Sequence, residues 1–447
     1  MKKPLILAAL LPLTTLASLP TELTVRGGDS IPCGEEVHNF ILRGKALTED
    51  NSSARLRLHA DGANGYEVIF RNGPIDGTVK SGSLAHVRNL YRSLAADGDW
   101  FDFEIAVREK NVEIKVNGQS VVRYTEPANP WRSPEHAGQR FGRGDFVFHD
   151  AKGVVRFKDL ALTRLADGAL NPLDTMPPVD EQNDRVIRLQ QRDFPVIDFH
   201  VHLKGGLTRE MAHAKSLNYG INYGIVPNLG EGGVGEMFAT DASALAYLRE
   251  VRPLPFLCGA QGEGRRWPLQ FAATTFSAFD YLFTDSMTIV DDGVPLRIYR
   301  PEEFRLNGRT NEEWVDFLVS QIEKILTNEP VDIYANPTFL PEPLQKDYDK
   351  YWTDARINRV LDVLAKYRIA LEINPRYCLP SFKIIRMAKA RGIKFTFGTN
   401  NEKPDFGRLE YALEAVAKCG LTKDDIWFPS MSIRATRKPV PYNHFRE

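Results

Sequence analysis

The chain is poor in cysteine: four in 447 residues, Cys33, Cys258, Cys378 and Cys419. Their spacing fits no zinc knuckle and no paired-thiol motif, and it excludes a dense disulfide framework. Cys33 stands alone in its half, and one bridge among the other three stays open. No block of Lys or Arg stands out, and 57 basic residues balance 58 acidic ones for a formal net charge of -1. Nothing in that balance argues for a nucleic-acid or anionic-membrane partner. Beyond the first residues there is no long hydrophobic run, so no membrane span is expected in the mature chain.

The first residues do carry a signal. Lys2 and Lys3 precede an apolar run from Pro4 to Leu16, and the small residues Ala17 and Ser18 follow. This pattern predicts a secretory signal peptide over residues 1–20 and a periplasmic or secreted mature protein. Hydrophobic residues make up 43% and charged residues 26%. That is ordinary globular composition, and the length calls for more than one domain.

Two rhythms divide the chain. Over residues 21–165, runs such as Arg55-Leu-Arg-Leu-His59, Phe101-Asp-Phe-Glu-Ile105 and Val112-Glu-Ile-Lys-Val116 alternate polar and apolar side chains. Period two means strands with one wet and one buried face, hence an all-β sandwich. Gly62, Gly65, Asn72-Gly73, Asn117-Gly118 and Asp150 to Gly153 mark hairpin-type turns. Residues 166–190, with Pro172, Pro177 and Pro178, read as a linker. Residues 191–437 then alternate seven short apolar runs with helical segments, and residues 438–447 form a tail. Strands buried on both faces and joined by helices make a parallel sheet, so the expected fold is a distorted TIM-like (β/α)7 barrel, with an open doubly wound sheet as the alternative.

Each barrel strand ends on polar residues. The first delivers Asp198, His200 and His202 on one side, because strand side chains repeat every two residues. Later strands deliver Asn228, Gln261, Glu263, Asp285, Asn336, Glu372, Asn374 and Thr399 to Asn401. Two histidines at i, i+2 can chelate one divalent ion of zinc, manganese or iron. The predicted metal ligands are His200, His202, Glu263 and Asp285, with Glu372 as a further ligand or the general base. The alternative is histidines that hydrogen-bond a solvated barrel mouth. The stretch Gly230-Glu-Gly-Gly-Val-Gly235 lacks the Lys-Ser/Thr of a P-loop and reads better as a lid over that mouth.

Asp193-Phe-Pro-Val-Ile-Asp-Phe-His-Val-His202 resembles the first motif of the polymerase-and-histidinol-phosphatase (PHP) superfamily. Leu371-Glu-Ile-Asn374 is similar to a further segment of that family. The resemblance implies a metal-dependent hydrolase barrel that holds one or two ions. The sequence departs from it at Asn336, at Asp285 and at Thr399 to Asn401, where the family carries histidine or aspartate ligands.

The first half resembles the 3-keto-disaccharide hydrolase domain family, a concanavalin-like jelly roll. Gly65-Tyr-Glu-Val-Ile-Phe-Arg71, Asp99-Trp-Phe-Asp-Phe-Glu104, Val116-Asn-Gly118 and Phe146-Val-Phe-His149 carry that resemblance. It implies a carbohydrate substrate. Glu67, Arg71 and His149 are the sandwich residues to test for catalysis, against the plainer reading that Glu67 and Arg71 form a solvated strand face and His149 holds a turn. Tyr66, Trp100 and Trp131 could stack on sugar rings or belong to the core.

The leading expectation is an exported, metal-dependent hydrolase or lyase cleaving glycosides or 3-keto-glycosides. A phosphoesterase or amidohydrolase barrel with a sugar-binding sandwich is the second reading. A non-catalytic carbohydrate-binding protein with a degenerate barrel is the third.

Overall fold

The computed structural model describes residues 20–34, 36–168, 178–233, 235–404 and 407–437. The expected signal peptide, much of the expected linker and the C-terminal tail lie outside these residues. Two compact units emerge. Of the described residues, one holds those up to Gly73 and between Val79 and Asp184, the other Pro74–Thr78 and those from Arg185 onward.

The first unit is a jelly-roll β-sandwich. Its larger sheet orders the strands Glu22–Arg26, Val154–Arg164, Phe40–Thr48, Phe101–Arg108, Asn111–Val116 and Gln119–Thr125. Its smaller sheet orders Ser30–Pro32, Asp145–Lys152, Ser53–Asp61 and Asn64–Phe70. All these pairings are antiparallel. The alternation read from sequence is what buries Leu56, Leu58, Phe103 and Ile105, and a core of Phe40, Phe70, Phe146, Phe148 and Phe157 joins them. Edge-to-face contacts such as Phe70 on Phe157, with centroids 4.9 Å apart, suit the ring quadrupoles.

Two turn expectations need correction. Asp150 and Gly153 do take positive φ, but the chain there passes from the smaller sheet to the larger instead of closing a hairpin. Asn72-Gly73 opens a strand-free stretch over residues 71–100. Buried Asn72 replaces ladder bonds there: its amide donates to Thr48 Oγ1 (2.8 Å), while the Ser81 and Ser93 hydroxyls donate to its Oδ1 (2.8 and 2.6 Å).

In the second unit the seven barrel strands are Ile197–Val201, Asn222–Ile225, Leu257–Glu263, Tyr281–Thr284, Ile333–Tyr334, Ala370–Ile373 and Phe395–Phe397. Each pairs in parallel with the next, and the seventh pairs with the first, which closes the ring. The open sheet is thereby set aside. Crossover helices fall where the sequence placed them, including Arg209–Tyr219, Asp241–Val251, Asn311–Asn328 and Asp354–Tyr367. Thr310 and Glu313 form a capping box on Asn311–Asn328. Tyr281 fills the barrel interior and donates to the Phe199 carbonyl at 2.6 Å. Gly224 and Gly259 make room for it, since a Cβ at Gly224 would fall 2.0 Å from the Tyr281 hydroxyl oxygen and one at Gly259 2.3 Å from the ring. Arg185–Gln190, expected as linker, is helical and belongs to this unit. All four cysteines are free thiols, and no helix among the described residues is long and apolar enough to cross a membrane.

Candidate active site at the barrel mouth

Closing the barrel gathers the polar strand ends on one rim, as parallel topology requires. A cavity of about 300 Å³ opens there, lined by His202, Glu263 and Asp285 among others. Amides of Asn228, Gln261, Asn336 and Asn400 also line it, as do Gly232 and Gly233 of the glycine-rich loop.

Behind the cavity runs a chain of hydrogen bonds. Glu372 Oε1 lies 2.6 Å from His200 Nδ1, and His200 Nε2 lies 3.1 Å from His202 Nε2. His202 Nδ1 lies 2.8 Å from the Val226 carbonyl oxygen. A carbonyl only accepts, so His202 carries its proton on Nδ1 and presents a lone pair at Nε2. His200 fills that lone pair by donating from Nε2, which leaves its own Nδ1 to accept from a protonated Glu372. Burial supports this assignment: it pushes Glu372 up to about 8 and His200 down to about 3, the latter helped by the Lys204 charge. Gly398 permits the close pair, since a Cβ there would sit 2.1 Å from Glu372 Oε1 and 2.6 Å from His200 Cβ.

The surrounding residues fix this chain in place. Glu372 Oε2 accepts from the Asn336 amide N–H (2.7 Å) and Asn374 Nδ2 (3.2 Å). Buried Asp198 accepts from the backbone N–H groups of His200 and Thr399. Burial raises Asp198 to about 6 against those bonds. Asn401 grips the His202 backbone at both ends, accepting from its N–H and donating to its carbonyl.

Glu263 and Asp285 share the cavity but not the imidazole pair. Gln261 lines the same cavity and donates to Glu263 Oε1 at 2.8 Å. Asp285 accepts from the Met287 N–H (3.0 Å) and from Asn336 Nδ2 (2.9 Å). Burial and the neighbouring Asp285 charge raise Glu263 well above the usual carboxylate range.

A metal centre needs at least a third protein donor close to both imidazoles. Among the described residues, no other His, Cys, Asp or Glu brings a ligand atom within 4.8 Å of both; the sole group meeting that spacing is His38, Glu109 and Asp167 in the sandwich. The donors present therefore do not fit the expected four-residue centre of His200, His202, Glu263 and Asp285. Around the pair the cavity wall carries amides instead, from Asn228, Gln261, Asn336 and Asn400. Glu372, expected as a ligand or base, stands behind His200 and outside the cavity wall.

In the sandwich, Glu67 is clamped. Arg55 Nη1 lies 2.7 Å from one oxygen; Arg57 Nη2 (2.8 Å) and His149 Nε2 (3.1 Å) approach the other. Burial works to raise Glu67, but the bonds from His149, Arg55 and Arg57 outweigh it and hold the carboxyl well below its usual range. These are the surroundings of a structural ion pair and make Glu67 a weak base. Arg71 uses its backbone N–H to reach Ser81 Oγ. Tyr66 is core, and Trp100 carries Lys158 Nζ over its ring at 4.2 Å.

Sequence reading missed a second buried network. Arg132 donates to Glu181 (2.6 Å), to the Tyr66 hydroxyl (2.6 Å) and to the Tyr124 hydroxyl (2.7 Å), and Tyr66 in turn donates to Glu126 (2.6 Å). No short motif announces partners so far apart in sequence. Likewise Arg265, which its place after the third barrel strand offers either to an anionic or hydroxyl-rich substrate or to solvent, turns inward onto Glu329 at 2.9 Å.

Residues 14–163 match the model of the 3-keto-alpha-glucoside-1,2-lyase-like domain. The first unit is thus a carbohydrate-related domain, and the match ends before the barrel begins. No curated protein matches the chain. Among solved structures, a candidate glycosyl hydrolase from Parabacteroides distasonis is similar at 15% identity and TM-score 0.30, covering 34% of this chain and 85% of that one. A second candidate glycosyl hydrolase from that organism gives 12% identity and TM-score 0.27, covering 35% and 92%. The carbohydrate-binding module CBM66 of Bacillus subtilis gives 10% and 0.24, covering 33% and 97%.

Proposed function

We propose that this protein is an exported carbohydrate-cleaving enzyme, a hydrolase or lyase acting on glycosides or 3-keto-glycosides, with its reaction in the barrel mouth. The observation that carries the placement is the cavity into which His202, Glu263 and Asp285 project from three different strand ends, ringed by amides. The lyase-like domain match over residues 14–163 supports the substrate class.

The chemistry asks for two groups of opposite role. In a 3-keto-glycoside the carbonyl acidifies the hydrogen on C2, so a base removes it as the C1–O bond breaks. An acid protonates the departing oxygen, and water then adds at C1. Burial and a neighbouring like charge keep the proton on Glu263, which suits it as the acid. Asp285, bonded to Asn336 and the Met287 N–H, serves as the base. Glu372, His200 and His202 hold the cavity floor. Because the donors do not fit a metal centre, no step passes through an ion.

A second reading places the reaction in the sandwich, and the domain match itself favours it. Assays of the full chain on glycosides and 3-keto-glycosides separate the two. Glu263→Gln and Asp285→Asn should each lower kcat about 100-fold or more, while Glu67→Gln leaves it within about threefold. The reverse pattern overturns the placement in the barrel, and no turnover of any glycoside overturns the substrate class.

A further inference from the structure

Two cations line the barrel cavity, and the proposed acid and base use neither. Lys204 follows the first barrel strand and Arg376 the sixth. Asn400 joins them: its Oδ1 accepts from Lys204 Nζ at a long 3.4 Å, and its backbone carbonyl accepts from Arg376 Nη1 at 3.1 Å. That amide is the one hydrogen-bond partner of the Lys204 ammonium among the described residues, although an ammonium has three N–H groups to place. Arg376 also meets Glu402 at 2.9 Å, but that carboxylate is 70% exposed and largely screened by water. Neither Asp285 nor Glu263 forms a hydrogen bond with either cation; Asp285 bonds Asn336 and the Met287 N–H, and Glu263 bonds Gln261. Both cations face the same cavity, so an anionic group entering it would meet the two together.

We infer that the molecule taken by this cavity is an acidic carbohydrate whose anionic group, a carboxylate or a phosphate, sits against Lys204 and Arg376. The inference rests on the barrel mouth being the carbohydrate pocket. A neutral sugar would leave a part-buried ammonium on one long contact, whereas an anion gives it a charge-assisted bond and offers Arg376 a planar partner.

Calorimetric titration of the full chain with D-glucuronate, D-glucose and inorganic phosphate tests it. The expected result is glucuronate binding at least about tenfold tighter than glucose, weakened by added salt. Lys204→Met and Arg376→Met should each weaken glucuronate about tenfold and leave glucose unchanged, while Lys204→Arg retains binding. Glucose binding as tightly as glucuronate, equal losses for both sugars, or no heat with any of the three overturns the inference. Phosphate binding that depends on both cations, with neither sugar bound, upholds the anion site and overturns the carbohydrate reading instead. Should the variants fail to fold, the wild-type preference and its salt dependence still decide.

Discussion

The Nε2 atom of His202 faces the Nε2 atom of His200 at 3.1 Å, and the Val226 carbonyl on the far side of His202 dictates which ring donates. From that one acceptor the protons of three buried side chains follow in turn, ending on Glu372. The histidine pair that looked like half of a metal centre is thereby satisfied by hydrogen bonds alone.

If Glu372 is a proton donor to His200, a glutamine should replace it with little loss, its amide donating to Nδ1 and its oxygen accepting from Asn336. Glu372→Gln is expected to cost under about 1 kcal/mol, and Glu372→Ala about 1–3 kcal/mol because buried partners are orphaned. Denaturant unfolding measures both. Elemental analysis of the same samples should find no stoichiometric ion; one equivalent of zinc, manganese or iron that vanishes in His200→Ala, His202→Ala would reverse the assignment.

Gly398 is packed against Glu372 and His200. Gly398→Ala should cost about 1–3 kcal/mol through overpacking and lower turnover with it. Gly142→Ala, in open space, is the control and should stay within about 0.5 kcal/mol. Equal effects would show that the tight fit is not real.

Arg132 and Glu181 are 1% and 0% exposed, so breaking their pair strands a buried charge. Glu181→Gln is expected to destabilise the sandwich by about 3–5 kcal/mol. Glu312→Gln, which breaks the exposed pair with Lys350, should leave the unfolding midpoint essentially unchanged. Thermal or denaturant unfolding compares them, and similar values would contradict the burial argument.

His59 gives the sandwich an acid-sensitive element. Burial lowers it from 6.5 to about 4. The unfolded chain therefore takes up the proton first as pH falls, and stability present above 6.5 drains away between 6.5 and about 4. The contribution is on the order of 3 kcal/mol. His59→Asn, which tolerates the positive φ at that position, should lose less stability than the wild type between pH 7 and pH 4. A parallel loss in both would remove His59 from the account.

The periodicities carried the fold. Alternation of two buried Leu56 and Phe103, and apolar runs separated by amphipathic helices marked the seven barrel strands to within a few residues. The short helix Ala273–Ala278 and the hairpin of Thr288–Asp291 with Val294–Arg297 were not legible, because both are too brief to show a period. At the site, strand-end position alone placed His202, Glu263 and Asp285 at one rim, since parallel strands deliver their carboxyl ends together.

What the amino-acid order determined by itself is therefore local: period, turn chemistry, and the polar residue that finishes each strand. What only the tertiary structure decided is distance. Ångström differences set whether Gln261 or a carboxylate stands beside the imidazoles, whether Arg265 meets solvent or Glu329, and whether Glu67 is free or clamped. Such contacts join residues tens to hundreds of positions apart, and burial, which exists only once the chain has closed, determines which of them hold charge.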